Sequence, residues 1–250
     1  MIGAPGWAFL FLAGVVGGIV GTAGGITSLV AYPALLAVGI PPFTANVTNA
    51  VALLGSGLGS SLQSRLELAG HGRTLRRWMP LAVVFSLAGA ILLVTTPASV
   101  FDRIVPFLVA TGALVLLLQP QIAAWQSRRG HAVGTLAAGA FGAGVALYNG
   151  YFGAGSGILM IALLMLTTEP VLQRANALKN VILVAADVLP AVVFVLTGTV
   201  LWSAVWPLGV GALVGGLIGP PVARRIRPDV LRILVAVCGF ALALWLLIRL

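Results

Sequence analysis

The chain repeats itself, and each copy is an apolar stretch interrupted by a cluster of glycines. Gly18-Ile-Val-Gly21-Thr-Ala-Gly24-Gly25 in the first half answers Gly150-Tyr-Phe-Gly153-Ala-Gly155-Ser-Gly157 in the second. An Ala-Asn pair follows each cluster about twenty residues later, Ala45-Asn46 and Ala175-Asn176. The spacing between copies is 132 at the glycines and 130 at the asparagines, and settles at 127 for Gly89 and Gly216, Asp102 and Asp229, and Gly112 and Gly239. A duplicated apolar unit with interrupted helices is the pattern expected of a secondary transporter.

Composition decides the solvent. Of the 250 residues, 60% are hydrophobic and 8% charged, with a mean hydropathy of +1.12. Soluble domains carry about 25% charged residues, so this chain reads as an all-α integral membrane protein in contact with the lipid bilayer. The formal charge of +9 sits in short arginine clusters between apolar runs, which is how topology signals look, and nucleic acid is not expected as a partner. Cys238 is alone in the last apolar segment. Neither a disulfide nor a metal site is expected, nor any cofactor, and no removable signal peptide is legible at the N-terminus.

A crossing helix needs roughly 20 apolar residues. Six segments fit: about 44–64, 78–96, 102–119, 174–197, 204–223 and 229–248. The two glycine segments, about 7–38 and 132–167, are too long for one ordinary span and are broken by residues that favour turns. If each crossed once, the arginines of the connecting regions would divide 7 to 6 between the two sides. If each is a helical hairpin entering and leaving on one side, the loops at 65–77, 120–131, 168–174 and 223–232 share a side and hold 11, against 2 for Arg103 and Arg249. Positive residues concentrate in the cytoplasm, so the hairpin reading is preferred. It predicts two inverted-topology repeats, 1–125 and 126–250, each a hairpin with a glycine-rich break plus three transmembrane helices. Both termini would lie outside, and the hairpin tips would approach each other near the midplane.

Irregular backbone within a membrane is tolerated only when buried in protein or lining a wet cavity, and helix N-termini ending there suit an anion. The candidate site therefore comprises Gly21, Thr22, Gly24, Gly25, Gly153, Gly155, Ser156 and Gly157, with Thr27 and Ser28 as further hydroxyl donors. After the first hairpin, Asn46, Asn49, Ser56, Ser60 and Gln63 recur at helical spacing as one polar stripe. Asn176, Lys179, Asn180 and Asp187 occupy the corresponding helix of the second copy. Intramembrane ionisable residues default to functional hypotheses: Lys179 is a candidate anion ligand, and Asp187 a proton-coupling candidate through contact with Lys179. The bland alternatives are an internal Lys179–Asp187 contact, or amides that hold helices together. His71 and His131 read as solvated loop residues, and most tryptophans flank spans as interface anchors do. No catalytic triad, metal cluster or phosphate loop is present in the sequence, so an enzyme is not expected.

These motifs resemble those of the TauE/SafE family of sulfite and organosulfonate exporters. The resemblance rests on Gly17-Gly18-Ile-Val-Gly21-Thr-Ala-Gly24-Gly25 followed by Tyr32-Pro33-Ala-Leu-Leu36. In the second copy it rests on Gly150-Tyr-Phe-Gly153-Ala-Gly155-Ser-Gly157 followed by Arg174-Ala-Asn-Ala-Leu-Lys179-Asn180. It covers essentially the whole chain. One departure is that Leu163-Leu164-Met165 stands where the family pattern has a proline after the second glycine cluster. The resemblance implies a multi-pass plasma (inner) membrane carrier of small sulfur-containing anions such as sulfite, thiosulfate or an organosulfonate. An anion channel of the same architecture and a non-transporting membrane assembly subunit are the alternatives. Small-residue helix faces leave room for a homodimer.

Overall fold

The computed structural model describes residues 3–64, 67–129, 134–223 and 228–248, which form ten α-helices and no strand. Each half has the same order. A broken pair, α1 (Ala4–Gly24) and α2 (Thr27–Ala37), precedes α3 (Pro42–Gln63), α4 (Gly72–Thr95) and α5 (Ala98–Arg129). In the second half α6 (Thr135–Tyr151) and α7 (Ser156–Thr167) precede α8 (Leu172–Leu196), α9 (Trp202–Ala223) and α10 (Pro228–Ile248). Two broken helix pairs and six further helices are thus present, with one difference in their bounds. α5 runs on to Arg129, so a repeat boundary at 125 falls inside a helix. Residues 121–129 contain no glycine, and the chain keeps its helix through Pro120. The side chains of Gln63 and Thr22 lie outside the described residues, as do Arg65, His131, Arg224, Arg225, Arg227 and Arg249.

The broken pairs fold back on themselves. α1 ends in a left-handed cap at Gly25 (φ 70°), whose N–H donates to Gly21 O at 2.7 Å. α2 then returns along α1, with Thr27 against Gly21 and Val30 against Gly17. In the second half Gly153 and Gly155 take φ of 80° and 82°, the conformation that a β-carbon disfavours, and α7 returns so that Leu163 lies against Gly142. The arms are unequal. At 21 residues α1 is roughly 32 Å long and crosses a membrane by length and composition, whereas α2 has 11 residues. Five helices qualify as spans in this way: α1, α4, α5, α8 and α9. Their exposed leucines, valines, phenylalanines and tryptophans face outward, as a lipid-facing surface requires. α3 is more polar, because it turns Asn46, Thr48, Asn49, Ser56 and Ser60 inward, all buried.

The halves interlock by exchanging partners. α1 packs on α9 and its counterpart α6 on α4; α3 packs on α9 and its counterpart α8 on α4; α3 also meets α8, and α5 meets α10. Small residues set the register, as in close helix packing within membranes. Phe11 meets Gly211 and Val15 meets Gly215, so α1 and α9 run in the same direction. Ala52 meets Gly209 and Ser56 meets Gly216, so α3 runs with α9 too. Gly142 lies on Trp78 and Gly150 on Ser86, which makes α6 and α4 parallel.

The two hairpin turns meet in the middle. A β-carbon on Gly157 would lie 2.7 Å from the Cα of Gly25, and one on Gly25 would lie 2.8 Å from Gly157. The connections following α3 and α7 also lie together: His71 Nε2 is 2.6 Å from Glu169 Oε2, and Glu169 Oε1 accepts from Val171 N–H at the start of α8. His71 is therefore tied to the other half rather than solvated. At the opposite end Leu201 N–H donates to Thr48 Oγ1, and Phe43 packs edge-on against Phe101.

Gly157→Ala should strain the turn contact and destabilise the protein by about 1–3 kcal/mol, the usual scale of overpacking. Gly144→Ala on α6, whose added β-carbon meets nothing within 4 Å, should be neutral or slightly stabilising through helix propensity. Thermal unfolding in detergent compares them directly. Equal melting temperatures would mean that the turns do not press on each other.

Candidate functional site

Beside the glycine turns lies an open-sided cavity of about 110 Å³ lined in part by polar side chains, several times the roughly 10–15 Å³ that one water requires. Its walls come from both hairpins and from α3 and α8. The first hairpin contributes Gly21, Gly25, Thr27 and Ser28, and α3 contributes Asn49, Ser56 and Ser60. The second hairpin contributes Asn149, Phe152, Gly153, Ser156 and Gly157, and α8 contributes Lys179, Asn180 and Asp187. Both arms of each hairpin reach the cavity because the chain reverses there. Both long helices reach it because α3 and α8 cross where Gly57 admits Val184.

On the second-half side the polar groups form one chain. Asn149, in the last turn of α6, donates through Nδ2 to Asp187 Oδ1 at 2.6 Å and lies 3.4 Å from Ser86 Oγ. Its Oδ1 accepts from Ser156 Oγ at 2.6 Å, and that hydroxyl also lies 2.8 Å from Gly153 O. Tyr148 donates to Ala154 O and so fixes the turn from outside the cavity. Ser156 opens α7; its N–H donates to Gly153 O and that of Ile158 to Gly155 O, both at 3.1 Å, so the turn itself bonds these first N–H groups.

On the first-half side the charge comes from across the repeat. Lys179 is 3% exposed, and its Nζ donates to Gly21 O at 3.4 Å, near the carbonyl end of α1 where the helix dipole favours a cation. Lys179 and Asp187 do not meet each other: Lys179 reaches Gly21 O and Asp187 reaches Asn149 Nδ2. Eight residues apart on one helix, they stand on successive stretches of the cavity wall, each held by a different hairpin. Two cavity-lining amides keep polar atoms with no partner within the protein, Nδ2 of Asn180 and Oδ1 of Asn49. Buried polar atoms are nearly always satisfied, so these two are left to bond water or a solute in the cavity.

Several expected site residues lie elsewhere. Asn46 points away from the cavity, donating through Nδ2 to Tyr151 O at 3.0 Å and satisfying a carbonyl at the end of α6. Asn176 is half-buried and does not line the cavity. Gly155 faces α5, where an added β-carbon would lie 3.3 Å from the Cα of Gly112. Gly24 ends α1 rather than opening α2, since the first turn falls at Gly25 and Ile26. Asn149 and Ser86 are the residues that sequence reasoning missed. Asn149 directly precedes the Gly150 cluster, and a search for the polar residue nearest each break would have found it. Ser86 had no signal, because it is one hydroxyl in an apolar helix.

The two kinds of asparagine should separate in experiment. Asn46→Ala leaves the Tyr151 carbonyl unbonded and should cost about 0.6–1.7 kcal/mol, the measured range for hydrogen bonds between membrane helices. Asn180→Ala, which removes no bond from Nδ2, should cost less. Denaturant unfolding of both variants checks the order.

The chain is similar along nearly its whole length to known proteins. The family model described as "Sulfite exporter TauE/SafE" matches residues 7–246. The "Probable membrane transporter protein ORF9" of Sinorhizobium sp is 30% identical over 248 residues, covering 96% of this chain and 92% of that one. A "Probable membrane transporter protein" of Haemophilus influenzae is 26% identical over 243 residues, covering 96% and 93%. The "Probable membrane transporter protein YfcA" of Escherichia coli K12 is 25% identical over 224 residues, covering 88% and 83%. No solved structure matches the chain. With its family match spanning nearly every helix, the chain is a multi-pass membrane protein that belongs to the TauE/SafE family of membrane transporters.

Proposed function

We propose that the protein is a secondary carrier of small sulfur-containing anions in the plasma (inner) membrane, working by alternating access between two inverted repeats. The observation that carries this reading is the cavity between the two glycine turns, where the buried Lys179 ammonium and the unpartnered Asn180 amide face a helix N-terminus. A buried cation, a donor amide and the positive end of a helix dipole together match an oxyanion. Sulfite, thiosulfate or a small organosulfonate fits the family description and the cavity's modest size.

The helix directions support inversion. α3, the first long helix of its half, runs with α9, the second long helix of the other half. If successive spans alternate, α9 then opposes its counterpart α4, and every helix opposes its equivalent. The His71–Glu169 contact supports the same topology, because it puts the arginine-bearing loops around 65–77 and 168–174 at one end. Single crossings of the glycine segments would place those loops on opposite sides. That end is assigned to the cytoplasm by the arginine excess.

Alternation is favoured over a channel by the way the cavity closes. Phe152 lines it and stacks edge-on against Tyr32 with ring centroids 5.3 Å apart; Phe101, Tyr148 and Tyr151 complete an aromatic cluster on the side away from the cytoplasmic loops. In the other direction the cavity extends along α3 to Ser60. A site closed at one end and extended toward the other is one half of an alternating-access cycle.

In proteoliposomes, thiosulfate or sulfoacetate flux should saturate with concentration and show counterflow, whereas a channel would give non-saturating flux. Lys179→Ala should weaken anion binding by about 1.5–3 kcal/mol, the scale of a hydrogen bond to a charged group, or roughly ten- to hundredfold. Unchanged affinity in folded Lys179→Ala protein would remove it from the site. Single cysteines at Gly72 and Pro170 should react from the cytoplasmic side and one at Gly198 from the other. Labelling of Gly72 and Pro170 from opposite sides would refute the topology.

A further inference from the structure

Resting on the carrier reading above, we propose that the Ser156–Asn149–Asp187 chain makes anion binding take up one proton at Asp187, so that anion and proton cross together. The argument lies in the direction of the hydrogen bonds. The Ser156 hydroxyl lies 2.6 Å from Asn149 Oδ1 and 2.8 Å from Gly153 O, and its one hydrogen is assigned to the nearer; Asn149 Nδ2 donates to Asp187 Oδ1 at 2.6 Å. Every hydrogen in that chain points toward the carboxylate, which accepts and carries no proton on that oxygen.

Ser156 also lines the cavity at the start of α7. A serine hydroxyl has one hydrogen to give. When an anion arrives, that hydrogen turns to the anion, and Asn149 Oδ1 loses its donor. A carboxamide presents oxygen on one edge and NH₂ on the other, so rotating it by half a turn restores both contacts in reverse. Nδ2 then donates to the Ser156 oxygen, and Oδ1 faces Asp187. An ionised Asp187 cannot donate, and two acceptors in contact are unfavourable in a buried site. A proton taken from water onto Asp187 completes the chain, from Asp187 O–H to Asn149 Oδ1, from Asn149 Nδ2 to Ser156 Oγ, and from the Ser156 hydroxyl to the anion. No covalent bond changes other than that protonation. Ser86, 3.4 Å from Asn149 Nδ2, is a hydroxyl and serves either orientation.

Two ionisable groups line the cavity, Lys179 and Asp187, and the Asp187→Asn variant distinguishes them. Of the helices packed around Asp187, α3 and α7 carry no titratable side chain among their described residues. α4 carries Arg73, Arg76 and Arg77, more than two turns before Ser86. On α6, Tyr148 donates to Ala154 O and Tyr151 belongs to the aromatic cluster. Lys179, on the same helix, is the cation that meets the anion. The chain exists in one copy only. At the repeat spacing the positions of Asn149, Ser156 and Asp187 are Gly17, Gly24 and Gly57, which predicts one proton per anion rather than two.

Calorimetric titration of thiosulfate into detergent-purified protein, repeated in buffers of different ionisation enthalpy, counts the protons taken up. Wild type should take up close to one proton per thiosulfate at neutral pH. Its affinity should fall about tenfold per pH unit on the alkaline side, as single-proton linkage requires. Asp187→Asn, whose amide can donate permanently to Asn149, should bind thiosulfate with no proton uptake and little pH dependence. Ser156→Ala should bind more weakly and also lose proton uptake, although it removes no titratable group. Thiosulfate binding by wild type without proton uptake, or unchanged uptake in either variant, would overturn the proposal. Failure of wild type to bind thiosulfate, sulfite and sulfoacetate alike would instead overturn the carrier reading on which it rests.

Discussion

Backbone contact between Gly25 and Gly157 is the constraint from which the rest of the structure follows. Helices that break inside an apolar protein must find local partners or a wet cavity for their unbonded N–H and C=O groups. Here each break supplies surroundings for the other. The turns approach within 2.8 Å of where a β-carbon would stand, which holds the four half-helix ends around one small volume. The close contact also explains why the halves exchange partners: each hairpin can reach the centre only by lying along a helix of the opposite repeat.

Tying the turns in place is shared between the repeats as well. Lys179 and Asp187 sit on the same helix of the second half, yet Lys179 reaches the end of α1 and Asp187 reaches the end of α6. α8 thereby senses both hairpins. Asn46 on α3 makes a comparable contact to Tyr151 O. A rearrangement of either hairpin must change one of these bonds. The aromatic cluster beyond Phe152 lies at one end of this arrangement, and the His71–Glu169 contact at the other.

Much of this was legible in the sequence. Duplication, apolar composition and the placement of arginines led to two broken pairs and six longer helices, which are the elements present. Helical spacing on α3 and α8 identified Asn49, Ser56, Ser60, Lys179, Asn180 and Asp187, all on the cavity wall. The glycine clusters located the turns to within a few residues, because positive φ strongly favours glycine.

What sequence could not decide is where neighbouring polar residues point across the fold. Asn46 and Asn49 are three residues apart on one stripe, yet one bonds α6 and the other faces the cavity, since the stripe is wider than the opening. Lys179 and Asp187 look like a pair by charge, but each has a nearer partner on a hairpin that is distant in sequence. Asn149 matters only because α6 ends beside α8, a juxtaposition between residues 38 positions apart. Composition and periodicity act along one chain segment and so determine solvent, helices and breaks. Hydrogen-bond partners within the cavity depend on how segments cross, and that is settled only when the helices pack.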